Sequence, residues 1–172
     1  MRYGLLIAAG AAAVPFAALA QGQAAPAASA WGFFDAGTSS GAGVQAADGA
    51  QLIFKCDKPG KKEVYAVVVS PKEELGAPSI TTPISRPVSF SLDGKPPVKD
   101  NWRFYQRSAV ATGKTADRAL PRFIQMVSGA SKIEMRLDTG LRSQDVVMNF
   151  NTAGAADAIK TVYQKCKDDV PA

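Results

Sequence analysis

The fold of this chain is best predicted from two segments, Lys132-Ile-Glu-Met-Arg-Leu137 and Asp145-Val-Val-Met-Asn-Phe150. In both segments apolar and polar residues alternate, a pattern that predicts a strand with one buried face. The residues that follow predict a helix, because Ile159, Val162 and Cys166 recur at helical spacing. We therefore predict two strands and a helix that ends on a cysteine.

The preceding residues add several strands that are connected as hairpins. Gln51–Cys56 and Val64–Val69 flank a turn and predict the clearest hairpin. The Gly- and Ser-rich segment Gly37–Gly43 predicts a loop, and a helix is predicted over 118–128 with Asp117 as its N-cap. Further strands are predicted at 44–46, 80–84, 88–92 and within 102–110. This order predicts a mainly β, α+β fold, either an antiparallel β-sandwich or a curved sheet with the C-terminal helix packed on it.

The first residues have the three parts of an export signal. A short basic start precedes an apolar run from Leu5 to Phe16, and Ala18-Leu-Ala20 has the small residues of a cleavage site. A membrane anchor is the alternative, but the run is shorter than the roughly 20 residues needed to span a bilayer. We therefore expect the mature chain in the periplasm or outside the cell. The predicted parts are a signal peptide over 1–20 cleaved after Ala20, a flexible leader over 21–30 and one globular domain over 31–170.

The chain has two cysteines, Cys56 and Cys166. In an exported protein two cysteines most simply form one disulfide bond. The alternative is a reactive thiol pair, but the chain has neither a Cys-x-x-Cys spacing nor a histidine partner. We predict a structural disulfide that ties the last helix to the end of a strand.

Basic residues are concentrated in one part of the sequence. Without residues 1–20 the chain has 19 basic and 15 acidic residues, and residues 95–142 contain ten basic against four acidic ones. Export makes nucleic acid an unsuitable partner, so the basic balance points to an envelope component, an anionic envelope surface or a periplasmic protein. The alternative is a solubilising surface, because the basic residues are spread singly.

The sequence lacks the residues that most catalytic sites need. It has no histidine, which removes the commonest general base and metal ligand. It also has no nucleotide, zinc or calcium motif, and we predict no metal and no cofactor. Carboxylates such as Asp35, Asp138 and Asp145 remain available for a histidine-free hydrolase or hydrolase inhibitor, although acids beside turns are usually solvated.

One cluster of aromatic and basic residues is a candidate binding site. Trp102, Arg103, Tyr105 and Arg107 place rings next to guanidinium groups, which can stack on sugars or hold anionic groups. The alternative is a strand that buries Trp102 with Phe104 or Tyr105 and leaves both arginines outside, and strand periodicity favours it.

Several short sequence segments follow one another along the predicted domain. They are Trp31, Leu52-Ile-Phe-Lys-Cys56, Phe90-Ser-Leu-Asp-Gly94 and the closing Asn149-Phe-Asn-Thr-Ala-Gly-Ala-Ala-Asp-Ala-Ile159 before Cys166. This order resembles small periplasmic proteins of the invasion-associated locus B-like and type VI secretion-associated TagO-like kind, although this chain has only two cysteines. The resemblance implies a β-rich periplasmic accessory protein without enzymatic chemistry.

We therefore expect a non-catalytic periplasmic accessory or binding protein that acts at the cell envelope. Its candidate contact region is the basic surface formed by residues 95–142.

Overall fold

The computed structural model describes residues 30–60, 63–71, 75–77, 79–113, 118–140 and 145–171. These residues form nine strands and two helices. The strands are β1 (Gly32–Asp35), β2 (Ser40–Gln45), β3 (Gln51–Cys56), β4 (Tyr65–Val69), β5 (Ile84–Leu92), β6 (Val98–Phe104), β7 (Ser108–Thr112), β8 (Lys132–Leu137) and β9 (Val146–Asn151). The helices are α1 (Ala119–Ser128) and α2 (Ala155–Cys166).

All the described strands belong to one antiparallel sheet, in the order β1-β2-β3-β4-β7-β6-β5-β8-β9. The sheet is curved, because β9 at one end contacts β2 near the other end. Of the two predicted architectures, the described part of the chain therefore has the curved sheet. The mainly β, α+β class with a C-terminal helix packed on the sheet is confirmed.

One face of the sheet, the inner face, is covered by both helices. Helix α2 packs on β2 and β3, whereas α1 packs on β6, β7 and α2. Alternate residues of the strands point to this face, as in β8, where Ile133, Met135 and Leu137 are buried and the residues between them are more exposed. The opposite face, which we call the outer face, is turned away from α1 and α2.

The disulfide bond between Cys56 and Cys166 is present. Both residues are fully buried, and the bond joins the end of β3 to the end of α2 across a sequence separation of 110 residues. The predicted tie between the sheet and the last helix is confirmed.

The beginning of the domain differs from the sequence prediction. Residues 40–43 lie in β2, so the predicted loop over 37–43 is wrong for this part, and β1 was not predicted. The glycines are there because the space above them is occupied: a Cβ at Gly41 would lie 2.7 Å from the carbonyl oxygen of Phe54 and would meet the ring of Phe34. Glycine inside a strand commonly marks such a close approach.

Two other predictions differ in detail. The predicted edge strand over 80–84 is wrong, because β5 begins only at Ile84 and residues 79–83 lie outside the sheet. Helix α1 begins at Ala119 with Arg118 in the capping position and no side-chain cap hydrogen bond. The predicted N-cap, Asp117, lies outside the described residues.

Among the residues that the structure covers, no helix is both long enough and apolar enough to cross a membrane. The predicted signal peptide and most of the predicted leader lie outside these residues.

Candidate functional site

Trp102 is part of the core. Its side chain is 1% exposed, and its ring contacts Phe90 and, edge to face, Phe123 of α1, with ring centroids 5.7 and 4.9 Å apart. Phe104 is fully buried beside it. The arrangement that strand periodicity favoured is therefore the one observed, and Trp102 supports the fold rather than offering a ligand a free ring.

The other three candidate residues are accessible. Arg103 and Arg107 are exposed and Tyr105 is half-buried. Arg103 is paired with Val110 across the β6–β7 register and therefore shares the outer face with it. Tyr105 and Arg107 belong to the β6–β7 connection and line a depression on that face.

This depression, the outer groove, has a volume of about 760 Å³ and is open to solvent. Its floor is apolar, because the outward positions of three adjacent strands carry Ile53, Val67, Val69 and Val110. Two large apolar side chains at its sides remain exposed: Phe34 is 39% exposed and Ile80 is 72% exposed. Burial of this apolar surface by an occupant of the groove would stabilise the complex.

A polar cluster occupies one end of the groove. The Lys55 ammonium group lies 2.8 Å from Asp57 and 5.4 Å from the centre of the Tyr65 ring, and the Tyr65 hydroxyl donates a 2.6 Å hydrogen bond to Asp57. Partial burial alone would raise the pKa of Asp57, but hydrogen bonding to Lys55 and Tyr65 outweighs it and lowers the pKa. Partial burial alone would lower the pKa of Lys55, but Asp57 and Tyr65 outweigh it and raise the pKa.

Tyr65 is held in its neutral form within this cluster. Burial, and next the hydrogen bond to Asp57, raise the pKa of Tyr65 to about 12. A phenol with this pKa is a poor proton donor near neutral pH, because efficient proton transfer needs a pKa close to the working pH. The cluster is thus an ion pair whose carboxylate also accepts a hydrogen bond from a neutral phenol.

The opposite end of the groove is cationic. The register places Ser108 next to Val69, four residues along β4 from Tyr65 and roughly 13 Å away at the usual rise of a strand. Arg107 precedes Ser108, and its guanidinium group donates a hydrogen bond to the carbonyl oxygen of Pro71. Among the described residues, Arg107 has no carboxylate within ion-pair distance.

The basic residues of 95–142 do not all face one way. Arg122 on α1 pairs with Asp100 at 2.6 Å on the inner side of β6. On the outer face, Arg136 of β8 lies 3.5 Å from Glu134 and 3.9 Å from Asp145. The predicted basic region is therefore divided between two faces and partly neutralised, while Lys114 and Arg142 lie outside the described residues.

Two of the three carboxylates named from the sequence, Asp138 and Asp145, lie in one groove. Glu134 lines the same groove, and the guanidinium group of Arg136 pairs with both Glu134 and Asp145. Asp35 is on the edge strand β1, away from this groove. Within the described ranges, no cluster of three or more His, Cys, Asp or Glu residues is arranged to hold a metal ion.

The groove was not predicted from the sequence, although two signals of it were visible there. Val64–Val69 is apolar at successive positions, a pattern typical of a central strand that is covered on both faces. The strand is central, but its outward positions Val67 and Val69 form the groove floor. A second signal is Ile53, which interrupts the polar side of an otherwise alternating strand.

Comparison with protein-family models, curated proteins and solved structures finds no significant match to this chain. Its fold and candidate site define it as a disulfide-bonded α+β protein with a curved antiparallel sheet and an apolar groove on the outer face.

Proposed function

We propose that this chain is an exported, non-catalytic accessory protein of the cell envelope that binds a periplasmic or envelope protein through its outer groove. The observation that carries this proposal is the groove itself, in which exposed apolar side chains lie next to tyrosines and an arginine. Tyrosine and arginine are enriched in the centres of protein interfaces, where they supply most of the binding energy. Tyr105 and Arg107 are the candidate residues that line this groove, whereas Arg103 lies on the same face outside it.

The disulfide bond supports the exported location. Stable disulfides persist in oxidising compartments and are rare in the cytoplasm. Intact mass measurement of the protein purified from the periplasm tests the location directly. We expect a chain that begins at Gln21 and takes up no alkylating reagent before reduction. A chain that retains Met1, or two free thiols, would contradict the exported location.

Site-specific photo-crosslinking in intact cells tests the binding role. A photoreactive phenylalanine at Tyr105 lies in the groove, and the same residue at Val147, on the outer face of the distant edge strand β9, serves as the control. We expect one discrete adduct from position 105 and none from position 147. The adduct should disappear when Val69→Asp places a charge on the groove floor.

Two results would contradict the binding role. One is the absence of an adduct from position 105, and the other is an identical adduct pattern from both positions. Near-ultraviolet circular dichroism of each variant verifies that the fold is intact.

A further inference from the structure

The two ends of the outer groove differ in net charge. Lys55 and Asp57 neutralise each other at one end, so among the lining residues that the structure describes the remaining charge is that of Arg107 at the other end. The carbonyl oxygen of Pro71 holds the guanidinium group beside the apolar floor. The described part of the groove therefore combines an apolar centre with a cationic end, and its complement is an apolar group followed by an anion.

The shape of the groove favours a protein segment over a small molecule or a lipid chain. Small-molecule sites are concave and bury most of the surface of their ligand. This groove is open along its length and has a sheet surface as its floor, so an acyl chain would remain half exposed. A protein segment can turn its other side towards its own core and leave no apolar surface in water.

The length of the groove limits the segment. The neutral end at Tyr65 and the region of Val69 are roughly 13 Å apart, which corresponds to about four extended residues. Ile53, Val67 and Val110 lie between these ends and offer contacts to apolar side chains. Tyr105 stands next to Arg107 and can pack on the residue that carries the anion.

We infer that the outer groove binds a short extended protein segment with one or two apolar side chains followed by an Asp or Glu, whose carboxylate pairs with Arg107. This inference rests on the proposed function and adds the chemistry of the partner. It predicts that binding weakens with increasing salt, because an ion pair at the edge of an open groove is screened.

The test uses a displayed library of random linear peptides, selected against the oxidised mature chain, and calorimetry of one selected peptide. We expect the selected peptides to share an acidic residue beside apolar ones. Arg107→Glu should weaken the selected peptide about tenfold or more, because it replaces an attraction by a repulsion. Replacing the acidic residue of the peptide by its amide should weaken binding to the unchanged protein but strengthen binding to this variant, since it removes an attraction in the first case and a repulsion in the second.

Lys160→Glu is the matched control. Lys160 is exposed on α2 and undergoes the same change of charge, and we expect the peptide to keep its affinity within about twofold. If Arg107→Glu fails to fold, Arg107→Gln replaces it, because glutamine keeps an N–H donor for the Pro71 carbonyl oxygen.

Three results would overturn the inference. They are selected peptides without acidic residues, equal effects of Arg107→Glu and Lys160→Glu, and Arg107-dependent binding to phosphatidylglycerol vesicles in place of peptides. The crosslinking experiment separates the two proposals. An adduct at position 105 that survives Arg107→Glu leaves the binding role in place and rejects only the acidic segment.

Discussion

Phe123 packs helix α1 against the inner face of the sheet. It is fully buried on α1, and its ring lies 5.8, 5.2 and 4.9 Å from the rings of Phe54, Phe90 and Trp102. These three rings come from β3, β5 and β6, so a single helix residue contacts the inner face of the sheet at three strands.

Phe123→Ala should lower the free energy of unfolding by about 3–5 kcal/mol, because it removes a large buried side chain and leaves a cavity. Urea denaturation measures the change. Ser128→Ala, at an exposed position of the same helix, should leave stability nearly unchanged. A loss below about 1 kcal/mol for Phe123→Ala would show that the site collapses around the gap or that the ring cluster is not formed.

Tyr65 makes stability depend on alkaline pH. Its pKa is about 12 in the folded chain, against about 10 for a tyrosine in an unfolded chain. Folding therefore favours the protonated phenol, and this contribution is complete below pH 10 and is lost as the pH rises to 12. Tyr163 acts in the same direction, because burial, and next the charge of Asp168, raise its pKa.

We therefore expect the free energy of unfolding to fall between about pH 10 and pH 12. Tyr65→Phe should flatten part of this decline. Tyrosinate absorbance, followed against pH on the folded protein, should show a group that ionises well above 10. Ionisation of all tyrosines in one step near 10 would contradict the hydrogen bond between Tyr65 and Asp57.

At the scale of elements, alternation predicted the strands well. The hairpin of β3 and β4 and the pair of β8 and β9 lie within one residue of their predicted bounds, and α2 ends on Cys166 as predicted, because each buries a regular set of apolar residues on one face. Strand β1 was not predicted, and of β2 only the end within the predicted strand 44–46 was, because the contacts of β2 with its neighbours depend on the absence of side chains at Gly41 and Gly43 rather than on apolar residues. A segment rich in Gly and Ser cannot be assigned to a strand or to a loop from its composition alone.

The role of Gly41 in β2 is testable. Gly41→Ala should destabilise the chain by about 1–3 kcal/mol, because the new methyl group presses on a backbone carbonyl and on Phe34. Gly113→Ala is the control, since the nearest atom to its Cβ would be a Leu120 methyl carbon at an ordinary 3.9 Å. Thermal unfolding of both variants compares their stabilities. Equal unfolding midpoints would refute the close packing of β2 against β1 and β3.

For the molecule as a whole, the sequence predicted what depends on composition and periodicity, namely the α+β class and the disulfide. It did not predict the groove, because whether an outward apolar position is covered depends on the sheet order. Strand β4 pairs with β7 rather than with β5, which brings Val110 of β7 beside Val67. No local pattern carries that information. The candidate residues Arg103, Tyr105 and Arg107 were visible in the sequence, but not the apolar floor next to them.

The disulfide bond should contribute to the stability of the whole chain. The replacement of both Cys56 and Cys166 by Ala should lower the free energy of unfolding by about 4–5 kcal/mol in the chain-entropy model, since the bond closes a loop of 110 residues. Urea denaturation of this variant should agree with that of the reduced wild type. Amide exchange should show the largest loss of protection in α2. Unchanged protection of α2 would mean that packing alone holds the helix.

The position of α2 has a consequence for how the protein is made. This helix follows β9, packs on β2 and β3, and so joins the first strands of the sheet to the last one. A chain that crosses a membrane with its amino terminus first delivers these early strands long before the element that covers them. During that interval the inner face is an exposed apolar surface and Cys56 is a lone thiol. If the chain is exported as proposed, the inner face stays uncovered until α2 has crossed, and the disulfide bond can form only once Cys166 has joined Cys56.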